Sequence, residues 1–279
     1  MTISNNYVLI TGASSGIGRA CAEFLASNGF NVYAGARKQE DIQELNKIEN
    51  IMSLEIDVTK QDTIDNAMEY IKNQKTGLYA LINNAGIGHA GPLMELLIED
   101  LYEQFEVNLF GIHRITKAAF PLLLESKGKI IMISSDSGFF ATPFFGPYCS
   151  SKFALEGYSD SLRRELLIFG VKVVIIEPGR VDTSIWKKGE DSFKILLERL
   201  KGSIFEKIVR VVGEHAIKKG KTERLNPREI AKLVHKILYT KEPKTRYLIA
   251  PDKLRYRLIK ILPDKTIDKK FEKEFKKIK

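Results

Sequence analysis

The types and spacing of Tyr148 and Lys152 are suited to proton transfer. The two residues stand four apart in "GPYCSSKFALEGYSDSLRREL" (146–166), so they share one face of a helix. A tyrosine in water keeps its proton until pH about 10. An ammonium group within about 4–6 Å favours the phenolate and shifts such a pKa by roughly 1–3 units. We therefore expect Lys152 to lower the pKa of Tyr148 and prepare it for proton transfer, unless both are ordinary helix residues.

A glycine-rich turn, "TGASSGIG" (11–18), predicts a site for an anionic cofactor. It follows the first predicted strand and opens the first helix, where exposed N–H groups and the helix dipole favour a dinucleotide pyrophosphate. Gly12 allows a tight turn, Gly16 lets the backbone approach a ligand, and Gly18 permits close packing of helix on strand. The alternative is a tight turn without a ligand. The residues predicted to border the cofactor here are Gly12, Ser14, Ser15, Gly16, Ile17 and Gly18.

The end of the second predicted strand, "AGARK" (34–38), bears on the choice between NAD and NADP. An NAD site typically ends this strand with an acid that holds the ribose hydroxyls, whereas an arginine accommodates the 2′-phosphate of NADP. Ala36 stands where the acid would be, and Arg37 follows it, so NADP(H) is favoured over NAD(H) unless Arg37 merely coats the surface. After the third strand, Asp57 and Val58 are predicted to border the adenine, and Asp57 is equally suited to cap the next helix.

Short apolar runs alternate with longer helical patterns along most of the chain. Runs such as "KIIMI" (129–133) and "VKVVII" (171–176) are continuously apolar, as strands buried on both faces are. This alternation predicts an α/β fold of the Rossmann type, a doubly wound parallel sheet flanked by helices. Ligands bind beyond the carboxyl ends of such strands, and every motif above follows a predicted strand.

The predicted domain and its extension divide the chain at residue 250. Residues 1–250 form the NADP-binding domain, in which residues 184–225 have an amphipathic helical pattern and are expected to overhang the cleft as a lid. The next helix is predicted to begin after the N-cap Asn226, with Pro227 at its first position. Residues 251–279 form a basic, amphipathic extension.

Composition indicates a soluble globular protein. The 279 residues are 44% hydrophobic and 28% charged, with a net charge of +9. No apolar run approaches the roughly 18 residues of a membrane-spanning helix, and the chain enters a strand too early for a signal peptide. Two cysteines, Cys21 and Cys149, are too few for a disulfide framework, so a reducing, cytoplasmic setting is expected. The extension holds eleven basic and five acidic residues, so the remaining chain is nearly balanced and does not favour nucleic acid.

Taken together, the motifs resemble those of the short-chain dehydrogenase/reductase family. The resemblance covers residues 7–183 and rests on "TGASSGIG" (11–18), "NNAG" (83–86), "ISS" (133–135), "YCSSK" (148–152) and "EPGRVDT" (177–183). It implies a nicotinamide cofactor that lies across the sheet with its ring near Tyr148. It also implies an NADP(H)-dependent oxidoreductase that interconverts a ketone or aldehyde with an alcohol.

The resemblance implies one role for each member of a catalytic tetrad. Tyr148 transfers the proton, and Lys152 also holds the nicotinamide ribose. Ser135, at the end of the fifth strand, hydrogen-bonds the substrate oxygen and stabilises its growing charge. Asn108 interrupts a long helix and holds a water that links Lys152 to solvent. The further residues implied to contact the cofactor are Asn84, Ala85, Gly86, Pro178, Gly179, Val181 and Thr183.

Aromatic side chains dominate the segment before Tyr148, "SGFFATPFFGP" (137–147). With "SIW" (184–186) at the start of the lid they predict an apolar pocket, and the segment resembles the hydroxysteroid and retinol dehydrogenase branch of the family. That implies a bulky, apolar substrate, and carbonyl reduction as the working direction because cells keep NADP(H) reduced. The predicted substrate contacts are Ser135, Phe140, Phe144, Phe145 and Trp186. His89 and His113 have no second ligand at metal spacing, so no metal site is predicted.

The extension places apolar residues on one predicted helix face and lysines on the other. Those apolar residues are Ile267, Phe271, Phe275 and Ile278. The face is suited to packing on its own domain or a sister subunit, or to peripheral membrane contact, since apolar substrates partition into lipid. Helices predicted at 98–126 and 148–169 resemble those that form dimers and tetramers in the family, so a homodimer or homotetramer is expected. The alternative function is a non-catalytic NADP(H)-binding sensor or scaffold.

Overall fold

The computed structural model describes residues 6–220 and 224–278, except the side chains of residues 184–188 and 219–220. Strands and helices alternate through these ranges. The strands are β1 (Tyr7–Ile10), β2 (Asn31–Ala36), β3 (Ile51–Glu55), β4 (Ala80–Asn83), β5 (Lys129–Ile133), β6 (Lys172–Pro178) and β7 (Arg246–Ile249). The helices are α1 (Gly16–Ala26), α2 (Gln39–Leu45), α3 (Gln61–Asn73), α4 (Ile98–Phe105), α5 (Gly111–Ser126), α6 (Gly146–Glu165), α7 (Ser184–Arg199), α8 (Glu206–Gly220), α9 (Pro227–Tyr239), α10 (Lys253–Ile259) and α11 (Asp264–Phe275).

The seven strands form one parallel sheet in the order β3-β2-β1-β4-β5-β6-β7. Val8 of β1 pairs with Val32 of β2 on one side and with Ala80 of β4 on the other. The strand order therefore reverses between β1 and β4, which is where doubly wound sheets open a ligand crevice. The predicted Rossmann-type sheet is confirmed, and the glycine turn and the residues after β4 lie at this switch point.

Two apolar clusters cover the two faces of the sheet, because successive strand residues point to opposite sides. Ile10 packs in a cluster with Leu25 of α1 and Val234 of α9. Its neighbour Leu9 packs in the other cluster with Ile64 of α3 and other side chains of α3, α5 and α6. Full burial of such a side chain contributes about 1.5–3 kcal/mol. Burial on both faces explains why the strands are continuously apolar.

The long helix predicted over 98–126 is divided into α4 and α5 by a π turn over Glu106–Phe110. Within this turn the N–H of Gly111 bonds to the carbonyl of Glu106, five residues back rather than four. Such turns are rare and occur frequently at functional sites. Asn108 lies in this turn and therefore interrupts the helix, as the sequence predicted.

The predicted lid region folds as α7 and α8 as far as it is described. Leu196 of α7 lies against Gly91, and Arg199 forms an ion pair of 2.9 Å with Asp100. These contacts place α7 beside the segment that follows β4. The predicted N-cap of α9 is confirmed, because the Asn226 side chain accepts a hydrogen bond from the N–H of Arg228 at 2.9 Å.

The C-terminal extension packs on its own domain. Lys260 donates to both carboxylate oxygens of Glu177 at 2.9 and 3.0 Å, and the Glu177 side chain is only 3% exposed. Phe271 and Phe275 of α11 lie against Phe140 and Phe144, with ring centroids 6.4 and 6.1 Å apart. The apolar face of α11 therefore packs on its own domain, which was one of the alternatives predicted. Peripheral membrane contact stays a prediction. No helix among the described residues has the length and apolar character to cross a bilayer.

Candidate active site

The glycine turn forms a backbone cradle at the start of α1. Gly16 has a φ of +57°, in the left-handed region, and a Cβ built on it would lie 3.0 Å from Thr183. A Cβ on Gly18 would lie 2.2 Å from the carbonyl oxygen of Gly12, so only glycine allows α1 to approach the turn. The space that side chains would fill is thereby left to the backbone N–H groups, which suits a dinucleotide pyrophosphate.

The residues after β4 hold the glycine turn in place. The Asn84 side chain donates to the carbonyls of Thr11 and Gly12 at 2.9 and 3.1 Å. The N–H groups of Asn84 and Ala85 both donate to the Thr11 hydroxyl at 3.0 Å. The Asn84 side chain is bonded to the turn itself, and its predicted contact with the cofactor stays a prediction. Gly86 lies close to Asn108, since a Cβ built on Gly86 would be 3.3 Å from Oδ1 of Asn108.

Arg37 lies exposed where β2 ends beside the glycine turn. The N–H of Ala13 donates to the carbonyl of Gly35 at 2.8 Å, which joins the turn to this strand end. Within residues 6–220 and 224–278, Arg37 forms no ion pair. It is therefore available at the place where an NADP 2′-phosphate is expected.

Asp57 organises the turn between β3 and α3. Its Oδ1 accepts hydrogen bonds from the N–H and the hydroxyl of Thr59 at 3.0 and 2.7 Å. The predicted alternative that Asp57 caps α3 is wrong, because Lys60 is the N-cap and the Asp57 carboxylate is bonded to Thr59 before the helix begins. Val58 is buried and packs against Gly111 of α5. Contacts of Asp57 and Val58 with an adenine stay predictions.

The "EPGRVDT" motif leads the chain from β6 back over the glycine turn. Pro178 ends β6, and the N–H of Gly179 donates to the carbonyl of Ile249 on β7 at 2.8 Å. Val181 is buried, and Thr183 precedes α7 and lies against Gly16. The motif and the glycine turn therefore border the same crevice.

Ser135, Tyr148 and Lys152 meet beside this crevice. Ser135 follows β5, and its side chain lies close enough to the Tyr148 hydroxyl to oppose the rise in the pKa of that phenol. Lys152 is one helical turn after Tyr148 on α6, and its Nζ lies 5.7 Å from the centre of the tyrosine ring. The same Nζ donates to the carbonyl of Ile133 on β5 at 2.9 Å. The helix and strand thus bring together the predicted acid, the oxygen-binding hydroxyl and the ammonium group.

The expected lowering of the Tyr148 pKa is wrong for this structure. Burial raises the pKa of Tyr148 to about 12, and Ser135 only partly opposes this rise. Burial also lowers the pKa of Lys152 to about 8. Loss of solvent penalises the charged form of each group, which raises the pKa of the phenol and lowers that of the ammonium. Tyr148 therefore keeps its proton at neutral pH.

Asn108 positions the tetrad from the π turn. Its fully buried amide accepts from the N–H of Ile87 at 2.9 Å and donates to the Ile87 carbonyl at 3.0 Å. It also donates to the Ser151 hydroxyl at 3.1 Å, and that hydroxyl donates to the carbonyl of Tyr148 at 2.8 Å. The side chain thus ties the segment after β4 to α6. A role in holding a water stays a prediction.

Comparison with known proteins identifies the family to which this site belongs. A family model described as short chain dehydrogenase matches residues 6–192. The chain belongs to the short-chain dehydrogenase family.

Several members of the short-chain dehydrogenase family are similar over nearly the whole chain. The NADPH-dependent 3-dehydrocapnine reductase of Ornithobacterium rhinotracheale is 39% identical, over 98% of this chain and 98% of the relative. The 3-amino-tetrahydro-pyrrolizinone reductase of Xenorhabdus hominickii is 35% identical, over 97% of this chain and 98% of the relative. A crystal structure of a short-chain dehydrogenase from Streptomyces avermitilis has a TM-score of 0.78 and 26% identity, with full coverage of both chains.

The aromatic segment of this short-chain dehydrogenase divides into two parts. Phe145 lies beside the acid, with its ring centroid 4.8 Å from that of Tyr148. Phe140 and Phe144 also lie against α11, and both stay partly exposed, so their contact with a substrate stays a prediction. Phe144 has a φ of +64°, an uncommon conformation for a bulky residue that marks local strain. The side chain of Trp186 lies outside the described residues.

Two candidate functional residues, Asp136 and Tyr256, were not predicted from the sequence. Asp136 follows the catalytic serine directly, and Ser135 donates to its Oδ1 at 2.9 Å. Tyr256 of α10 also lies near the Asp136 carboxylate. A charged residue immediately after the motif serine was the available signal for Asp136. No local pattern connects Tyr256 with the site, because 120 positions separate it from Asp136.

Proposed function

We propose that the protein reduces a ketone or aldehyde to an alcohol with NADP(H). The observation that carries the proposal is the meeting of Ser135, Tyr148 and Lys152, with the Lys152 Nζ 5.7 Å from the centre of the tyrosine ring and 2.9 Å from the carbonyl oxygen of Ile133. The cradle formed by the glycine turn fits the pyrophosphate, and Lys152 and Thr183 are near enough to the crevice to hold the nicotinamide end. When bound, the cofactor supplies a hydride.

The pKa of Tyr148 supports reduction as the working direction. At a pKa of about 12 the residue is a neutral phenol and carries the proton that a reduced carbonyl needs. An alkoxide is a much stronger base than a phenolate, so proton donation from Tyr148 to the substrate oxygen is favourable. Ser135 stabilises the same oxygen by hydrogen bonding, and Lys152 stabilises the phenolate that remains.

The preference for NADP(H) rests on the end of β2. Arg37 is exposed there and pairs well with a phosphate, whereas the neighbouring Ala36 offers no carboxylate to the ribose. The relative from Ornithobacterium rhinotracheale is named as NADPH-dependent, which supports the same choice.

The proposed substrate is an apolar carbonyl compound that carries an amino group. Phe145 next to Tyr148 provides an apolar wall. Both relatives named above are reductases, and the name of the second one includes an amino group and a ketone. Steroid- or retinoid-like carbonyls remain the competing apolar substrates.

Self-association is proposed through the exposed side of α4–α6. Tyr102, Phe110 and Phe153 are 66, 49 and 46% exposed, although they are large and apolar. Their helices are those that resemble the dimer and tetramer contacts of the family. A cytoplasmic setting stays a prediction from the cysteine content.

Replacement of Tyr148 by Phe tests the function. Tyr148→Phe removes the proton donor and should lower kcat by about 10²- to 10⁴-fold, while NADPH binding is kept. NADPH oxidation would be followed with amino ketones, steroids, retinals and small aromatic carbonyls. Tyr158→Phe on the same helix is the matched control and should be active. NADPH binding without turnover on any carbonyl by the wild type would favour the sensor alternative.

A further inference from the structure

A carboxylate lies beside the proposed position of the substrate oxygen. Asp136 is part-exposed, and its Oδ1 accepts a hydrogen bond from the catalytic Ser135 at 2.9 Å. The hydroxyl of Tyr256 lies near the same carboxylate, whose negative charge contributes to the raised pKa of Tyr256. Burial is the main cause of the high pKa of Tyr148, and the negative charge of Asp136 adds to it. Asp136 is therefore coupled to both residues that are expected to touch the substrate oxygen.

The carboxylate of Asp136 has no ion-pair partner in the part of the chain that the structure describes. Other part-buried acids near the site do have such partners. Asp160 pairs with Arg246 at 3.0 Å, and Glu177 pairs with Lys260 at 2.9 Å. A lone negative charge at this position calls for a cation from outside the chain.

This arrangement opposes reduction of a neutral ketone in two ways. Negative charge grows on the substrate oxygen as it is reduced, and a nearby carboxylate repels that charge. Ser135 has a single hydroxyl proton, which it gives to Asp136. The same proton cannot also be donated to the substrate oxygen. If another group donated hydrogen bonds to the Asp136 carboxylate, the hydroxyl proton of Ser135 would be available to the substrate oxygen.

We propose that Asp136 binds the ammonium group of an α-amino ketone and so determines the specificity of the reductase. This inference rests on the carbonyl reductase function proposed above. An ammonium group has three donors, no acceptor and a positive charge, so it neutralises Asp136 and replaces the proton of Ser135. In an α-amino ketone the nitrogen and the carbonyl oxygen stand on adjacent carbons. The nitrogen therefore reaches Asp136 when the oxygen meets Ser135 and Tyr148.

The C-terminal extension brings Tyr256 close to this carboxylate. Tyr256 lies on α10, and its ring meets Phe139 edge-on, with centroids 6.4 Å apart. Lys260, one turn further along, is held by Glu177 and lies 3.8 Å from the centre of the Phe139 ring. The extension thus contributes Tyr256 to the substrate site from its anchored position.

Two ketones that differ only in the amino group test the proposal. We would measure kcat/KM by NADPH oxidation with 2-aminododecan-3-one and with dodecan-3-one. The wild type should prefer the amino ketone, and Asp136→Asn should lower kcat/KM for it by about 10- to 100-fold. The same variant should raise kcat/KM for dodecan-3-one, because it removes the negative charge beside the oxygen that becomes negative. Asp62→Asn, on the exposed side of α3, is the control and should change neither value.

A binding experiment keeps the proposal falsifiable if Asp136→Asn does not fold. Dodecan-2-amine and dodecan-2-ol would be titrated into the wild-type protein with NADPH by calorimetry, and the amine should bind at least about 10-fold more tightly. Equal binding of the two probes overturns the proposal. An equal loss of kcat/KM for both ketones in Asp136→Asn also overturns it.

The same measurements separate this inference from the function on which it rests. If the wild type reduces dodecan-3-one as well as 2-aminododecan-3-one, the role of Asp136 is refuted and the reductase function is retained. If no carbonyl in the wider panel oxidises NADPH, the proposed function itself is refuted. The probe titration then still decides whether Asp136 is an ammonium site.

Discussion

Replacement of Lys152 by Met is expected to stabilise the fold although it removes a catalytic group. Burial lowers the pKa of Lys152 from 10.5 to about 8, and the residue is only 5% exposed. This fall corresponds to about 3 kcal/mol of cost for holding the charge in the folded protein. Methionine removes the charge and fills similar space, but the Ile133 carbonyl loses its donor, which costs about 1 kcal/mol. The net gain at neutral pH is therefore about 2 kcal/mol.

The pH dependence of this gain has a definite sign. Below pH 8 the lysine is charged in both the folded and the unfolded protein, so the folded protein bears the full cost of burial. As the pH rises through 8 the folded protein releases the proton, whereas the unfolded chain keeps it until about 10.5. The cost then disappears, so the advantage of Lys152→Met should fall by about 2 kcal/mol between pH 7.5 and 9.5.

Urea unfolding of the wild type and of Lys152→Met at these two pH values measures the effect. Burial also lowers the pKa of Lys129 to about 8, but Lys129 is present in both proteins, so its contribution cancels in the difference. Lys117→Met, on the exposed side of α5, is the control and should show no such pH-dependent difference. An advantage that stays constant from pH 7.5 to 9.5 would refute the assignment of a strongly buried charge to Lys152.

Three other predictions concern the cofactor, the extension and self-association. Arg37→Ser should weaken NADPH binding by about 10- to 100-fold and should change NADH binding little. Equal weakening of NADPH and NADH binding would contradict the proposed contact of Arg37 with the 2′-phosphate. The same effect from Lys38→Ser would also contradict it. Lys260→Met should lower the free energy of unfolding by about 1–3 kcal/mol, since it leaves a buried carboxylate with only a distant partner. Proteolysis should then cut the extension faster, and unchanged cleavage contradicts its anchoring role. Phe110→Lys combined with Phe153→Lys should reduce the mass measured by light scattering, and an unchanged oligomer places the contact elsewhere.

The features that the sequence predicted well depend on local backbone chemistry. The glycine turn requires a left-handed conformation at Gly16 and a close approach at Gly18, and both requirements are properties of single residues. Asn226 caps α9 through its own side chain. The order of strands and helices followed from apolar runs that have to be buried on both faces. The motifs that hold Asn108, Ser135, Tyr148 and Lys152 keep a recognisable order, and the structure brings these four residues into one region.

The features that the sequence did not predict depend on contacts between distant segments. The pKa of Tyr148 was expected to fall, but burial by the surrounding chain raises it. Phe140 and Phe144 were expected to line the substrate pocket, and their contact with α11 was not predicted. Tyr256, which lies near Asp136, is on α10. Amphipathic spacing indicated that α11 has an apolar face, but it did not indicate which surface that face would cover.

The opposite pKa shifts of Tyr148 and Lys152 have one cause, and that cause limits which substrates suit the site. Burial disfavours any net charge here, so the neutral phenol is retained and the lysine is held at a cost in stability. Asp136 adds an unpaired negative charge to the same place. A neutral ketone leaves that charge uncompensated while a second negative charge develops on its oxygen. On our proposal that Asp136 binds an ammonium group, a cationic substrate would compensate the first charge before the second one appears and would be preferred to a steroid- or retinoid-like carbonyl.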